Sequence, residues 1–224
     1  MAYSMITRHD RAVFRSLAAD LRSEIGITSL TVDPADVAAV IELSFEDVPG
    51  VRLILSGSAL VAGMMDRAEN HVIVAGDIRA DWKRLTALHL IGMTLLSDAQ
   101  RHADRAITGG ERVTAGRHDT ELAADLLAIE IAAPADLVEA EFLRRFGAAV
   151  RDSADVNEMA SNLRTKVPDT ITAEELHTCG WMRRAMLISS ATGYGVRSFA
   201  PLHAAFGISA TAMAVRLQEL ALVR

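Results

Sequence analysis

Apolar residues recur at helical spacing over residues 11–25, at Val13, Phe14, Leu17, Ala18, Leu21 and Ile25, and Gly26 stands where that helix would end. Asp33-Pro34 opens a second helix, an N-cap acid followed by a proline at the first helical position, running to about Ile41. Three short strands follow. Residues 43–48 alternate and stop at the turn dipeptide Pro49-Gly50. Residues 51–55 are apolar and pair back on them as a hairpin. Residues 71–75, HVIVA, form a β-branched run between Asn70 and Gly76, with His71 at a surface or edge position. A long helix over 79–100 places His89 among Trp82, Leu85, Leu88, Leu95 and Leu96. Residues 107–116, glycine-rich and lacking the lysine of a phosphate-binding loop, read as a surface loop. Helices are then predicted over 118–132, over 137–146 with Gly147 as terminator, and over 155–163. The stretch 172–190 opens with the capping pair Thr172 and Glu175. After the break at 191–195, residues 202–223 read as helix, turn and helix, with Ser209 as N-cap of the last.

Half of the 224 residues are hydrophobic and only 4% are aromatic, so an aliphatic core is expected. Apolar runs fall short of the ~20 residues of a membrane span. The first residues lack the uninterrupted apolar centre of a signal peptide. Cys179 is the single cysteine, which excludes an intrachain disulfide and a zinc knuckle and predicts a buried, inert thiol. These features predict a cytoplasmic protein. The net charge of −6 argues against wholesale nucleic-acid binding, but its distribution is uneven. Residues 183–224 hold five arginines (Arg183, Arg184, Arg197, Arg216 and Arg224) against Glu219 alone, a local +4 that leaves −10 elsewhere.

Residues 81–96, DWKRLTALHLIGMTLL, resemble the active-site helix of the ImmA/IrrE family of metallopeptidases, approximately R-x-R-F-T-L-A-H-E-L-G-H-x-L-L-H. Arg84, Leu85, Thr86, His89, Ile91, Gly92, Leu95 and Leu96 fall in register. Leu90 stands where that family has its general-base glutamate, and Met93 where it has the second zinc-binding histidine. A second block, approximately E-x-x-A-N-x-F-A-A-E-L-L-M-P, is matched at Glu121, Ala124, Glu130 and Pro134. Asp125 replaces the Asn, and Glu121 falls on the third ligand position. A third block near the C-terminus is matched at Phe206, Ile208, Ser209, Ala212, Met213, Arg216, Leu217, Leu220 and Leu222.

The resemblance implies an α+β, zincin-like fold, mostly helical, with a small antiparallel sheet and a C-terminal helix-turn-helix-like region. Residues 1–134 would form the peptidase-like core and 135–224 a helical C-terminal region. Active members of the family use zinc to cleave helix-turn-helix repressors. Two imidazoles four residues apart share a helix face and can grip one zinc, and the glutamate between them takes a proton from the metal-bound water. Hydrocarbon at 90 and a soft thioether at 93 do neither. The expectation is therefore a pseudo-peptidase without zinc, its vestigial metal positions being His89, Leu90, Met93 and Glu121. Its expected partner is a helix-turn-helix transcriptional regulator, and self-association is open. Two alternatives stand beside it. One is a metallopeptidase with an atypical site at His89, His118 and Glu121. The other is a DNA-binding regulator using Arg183, Arg184, Arg197, Ser209, Thr211 and Arg216, although the last helix is mostly Ala, Met, Val and Leu, a composition that favours packing.

Overall fold

A computed structural model describes residues 8–48, 53–54, 60–66, 68–96, 105–106, 119–164 and 173–224. The chain divides into two compact units, Met1–Ala132 and Ala133–Arg224. Both are mixed α and β with helix dominant. No helix among the described residues is long and apolar enough to cross a membrane.

In the first unit the helix α1 (Arg8–Ile25) ends at Gly26, whose φ of +70° takes the left-handed conformation that glycine tolerates best. Helix α2 (Pro34–Val40) starts as the sequence predicts, with the Asp33 carboxylate accepting from the Ala35 N–H at 3.0 Å. The strands are β1 (Ser44–Val48), β2 (Leu53–Ile54), β3 (Leu60–Asp66), β4 (His71–Ala75) and β5 (Arg105–Ala106), with α3 (Ala80–Leu96) between β4 and β5 and α4 (Asp119–Ala132) after them. The predicted loop at 107–116 lies outside the described residues.

The sheet departs from the expected antiparallel arrangement. β1 runs parallel to β4, while β3 is antiparallel to β4, β2 and β5. The predicted hairpin between 43–48 and 51–55 does not form, since β1 pairs with β4 and β2 with β3. The side chains explain the exchange. Val72 and Val74, two apart on one face of β4, are fully buried, and β4 carries a strand on each side. β1 exposes Ser44, Glu46 and Asp47, a polarity suited to a border strand. His71 consequently starts an inner strand rather than an edge, where it stays partly open and meets Glu46 at 3.4 Å. The turn between β3 and β4 is closed by Asp66, whose carboxylate accepts from the Ala68 and Glu69 N–H groups.

Helix α3 is the middle layer of this unit, packed on β3 and β4 on one side and on α4 on the other. Two glycines permit the approach. A Cβ on Gly63 would stand 2.9 Å from the Ile73 carbonyl and 2.9 Å from Leu90 Cδ1, and a Cβ on Gly92 would stand 3.2 Å from the Ala124 carbonyl. Helix α1 closes the far side of α4. Arg22, buried, donates to the carbonyls of Ile131 (3.1 Å) and Ser29 (2.8 Å), and Arg15 pairs with the nearly buried Glu130 at 3.3 Å.

The second unit contains α5 (Ala135–Phe146), α6 (Ser153–Asn162), β6 (Leu163–Arg164), α7 (Ala173–Thr178), α8 (Trp181–Ser189), β7 (Gly193–Tyr194), β8 (Arg197–Ser198), α9 (Leu202–Ala205) and α10 (Ala210–Glu219). Gly147 ends α5 at φ +85°, as predicted. A reciprocal capping box between Asp152 and Asp155 starts α6, two residues before the predicted boundary. The stretch 172–190 is two helices, because Gly180 adopts extended backbone as the N-cap of α8; Thr172 lies outside the described residues. Cys179 falls at this break and is half-buried, not buried as expected. The break at 191–195 opens a three-stranded sheet, β6-β7-β8, that periodicity did not announce. At the end of the chain α10 follows the one-turn α9, with Ser209 accepting from the Ala212 N–H at 3.1 Å.

Beneath the small sheet, Phe146 contacts Phe142, Tyr194 and Phe199, and the Arg145 guanidinium lies 4.9 Å from the Phe199 ring centre. Glu141 receives hydrogen bonds from Arg144 at 2.7 Å and from Arg145 at 2.7 Å. The Arg144 bond, opposed by burial and reinforced by Arg145, holds the Glu141 carboxyl below the usual carboxylate range.

Two outcomes test this packing. Gly92→Leu should destabilise the protein by about 2–3 kcal/mol by overfilling the α3–α4 contact, read from urea unfolding. For Glu141 the folded pKa is depressed, so its contribution is complete above the ordinary value of about 4.3 and is lost as pH falls through the folded value. A pH series of thermal midpoints should show that acid loss, and Glu141→Gln should flatten it.

Candidate functional site

The four sequence-predicted metal-site positions sit on two packed helices, three on α3 and Glu121 on α4. Their periodicity decides what each one meets. Thr86 and Leu90, four apart, turn toward the sheet, with Thr86 Cγ2 and Leu90 Cδ1 both crowding the space above Gly63. Gly92 turns toward Ala124 on α4, and so does His89, three residues earlier.

His89 is 4% exposed, and its Nδ1 lies 2.8 Å from Asp125 Oδ1. An ionised carboxylate only accepts, so toward an ionised Asp125 the His89 Nδ1–H is the donor of this bond. Asp125 is half-buried on α4, one turn beyond Glu121. The sequence reading registered Asp125 only as a replacement for Asn. The signal that could have assigned its role is its spacing: an acid four residues after Glu121 shares that residue's helix face, and this face meets the histidine helix.

Leu90 and Met93 are 4% and 3% exposed, as deeply placed as the aliphatic core around them. Glu121 is half-buried in the first turn of α4. Among the described residues, no three His, Cys, Asp or Glu side chains gather where they could hold a metal ion. His118, the third member of the atypical site, lies outside the described residues. Zinc takes three or four nitrogen, oxygen or thiolate donors, and the α3 positions offer one imidazole, a hydrocarbon and a thioether. With Glu121 the four positions supply two zinc donors, short of the three that such a site takes. The histidine–carboxylate bond does serve as an internal tie between α3 and α4. The Thr86 hydroxyl, on the same helix, is buried with no hydrogen-bond partner among the described residues.

Neither a family model nor a curated protein sequence matches the chain.

The candidate contact residues of the second unit are dispersed into structural roles. Arg216 is not on a surface: it is 0% exposed, with Nε donating to the Ala133 carbonyl at 3.0 Å and Nη1 meeting Glu219 at 3.4 Å. Its predicted contact role is corrected accordingly. The long aliphatic stem makes it a core residue once the guanidinium is satisfied. Ser209 uses its hydroxyl as the α10 cap. Arg183 pairs with Glu175 at 2.8 Å, and Arg184 donates to the Leu176 and Arg224 carbonyls, closing the end of α7. Thr211 is exposed on α10, and Arg197 is exposed on β8. His177, a lone histidine in the sequence, meets the Asn157 side chain at 2.8 Å on an exposed face.

The His89–Asp125 tie has a direct test. Asp125→Ala leaves a buried ring nitrogen without its acceptor and should cost about 1–3 kcal/mol in urea unfolding. Asp125→Asn keeps an acceptor oxygen and should cost less.

Proposed function

We propose that this protein is a non-catalytic regulatory protein derived from ImmA/IrrE-type zinc peptidases, and that it binds a helix-turn-helix transcriptional regulator without cutting it. The observation that carries this reading is the burial of Leu90 and Met93 on α3. At the two positions where the resemblance requires a base and a ligand, the side chains are core. Leu90 packs over Gly63 of β3, where a carboxylate would be desolvated beside hydrocarbon. The retained histidine, oriented by Asp125, keeps its structural half of the old arrangement. On this reading the protein keeps the repressor-binding role of the family after exchanging chemistry for packing, and binding without turnover fits a titrating or sheltering role. Loss of the base alone removes catalysis worth ~10²–10⁴-fold.

The purified protein is expected to carry no stoichiometric zinc and to leave a helix-turn-helix regulator encoded beside it intact while binding it in calorimetry. Met93→His, which restores the i, i+4 pair with His89, should raise zinc affinity measurably over wild type. Metal-dependent cleavage by the wild-type protein would falsify the reading, and so would failure to bind the regulator.

A further inference from the structure

The β7–β8 hairpin of the second unit carries two arginines held in place without an acid. The two strands are joined by Gly195 and Val196, with Gly195 at φ +57° as a two-residue hairpin connection requires. Val196 is 98% exposed, and Gly195, Arg197 and Ser198 are exposed around it. Arg164 reaches across from β6, donating through Nη2 to the Arg197 carbonyl at 2.5 Å and to Ser198 Oγ at 3.3 Å. It crosses at Gly193, where a Cβ would stand 2.7 Å from the Arg197 carbonyl oxygen and 2.8 Å from the Arg164 Nε and Nη2 atoms. Arg197 lies 5.9 Å from the Tyr194 ring centre and donates through Nη1 to the Arg144 carbonyl at 2.8 Å. Both guanidinium groups are thus bound to neutral oxygens. Each keeps its full charge and several unused donors, and neither forms an ion pair with a carboxylate among the described residues. Glu158 stands at the hydroxyl end of Tyr194, whose O–H donates to its Oε1 at 3.4 Å, and Glu141 is engaged by Arg144 and Arg145.

We infer that this hairpin is a sequence-independent contact for the phosphodiester backbone of duplex DNA. Arg164 and Arg197 engage phosphates, and Val196 enters the minor groove as a small apolar wedge. Planar guanidinium forks fixed before binding match phosphate oxygens and lose little entropy on contact. A narrow two-stranded tip with one protruding apolar residue fits a groove flanked by phosphates. A bilayer is the weaker fit, because burial of a single valine contributes only about 1.5–3 kcal/mol. This surface lies on different elements from the α3–α4 site, so its failure would leave the regulator-binding reading untouched.

The test uses the full chain, with fluorescence anisotropy of a labelled, random-sequence duplex across a salt series. Val196 touches nothing that its replacement would disturb, so Val196→Glu and Val196→Lys change the charge at the tip without altering the circular dichroism. Wild type should bind at low salt with a log–log salt slope of about −2, the value for two phosphate contacts. Val196→Glu should weaken binding about tenfold and Val196→Lys should strengthen it, an ordering that electrostatic contact at the tip demands. Equal affinities for the three proteins would overturn the inference. So would absence of DNA binding at the lowest salt, whether or not phosphatidylserine vesicles retain the protein.

Discussion

The first unit depends on how closely α3 can approach α4. At Gly92 the distance is set by backbone, since any side chain there would press on the Ala124 carbonyl. One turn earlier on α3 the same approach brings the His89 ring within 2.8 Å of Asp125. The two features support each other: a larger residue at 92 would push the helices apart by some tenths of an ångström, and a buried ring nitrogen without the carboxylate would oppose the contact. On its opposite side α3 settles over Gly63, which admits Leu90 and Thr86 to the sheet. Helix α3 is thus held closely on both faces, by the sheet at Gly63 and by α4 at Gly92.

That constraint links the fold to the functional reading. A hydrolytic zinc site needs an open coordination position, a base and an access route. Here Leu90 and Met93 are committed to packing, and His89 and Asp125 join the two helices. The second unit shows a comparable economy with its arginines. Arg145, Arg184 and Arg216 satisfy carbonyl oxygens of the chain itself, and Arg144 and Arg183 are neutralised by glutamates. Positive charge counted along the C-terminal stretch is thus a poor measure of what reaches solvent. Arg164 and Arg197 are set apart by having exposed guanidinium groups held beside neutral oxygens.

What the sequence by itself determined was local. The helix starts at Asp33-Pro34 and Ser209, the stops at Gly26 and Gly147, and strand β4 were all legible because capping, left-handed glycines and β-branched runs act within a few residues. The choice of His89, Leu90, Met93 and Glu121 came from the family resemblance, and helical spacing added only that residues four apart share a face. Tertiary structure decided everything that rests on distant neighbours. It placed β1 parallel to β4 on one side and β3 antiparallel on the other, pairings that no strand's own pattern specifies. It matched His89 with Asp125 across 36 positions of chain, and it drew Arg216 into the core through a carbonyl 83 positions away. No local pattern encodes such pairings. They arise when burial removes water and each polar group must find its partner among whatever the packed chain brings near.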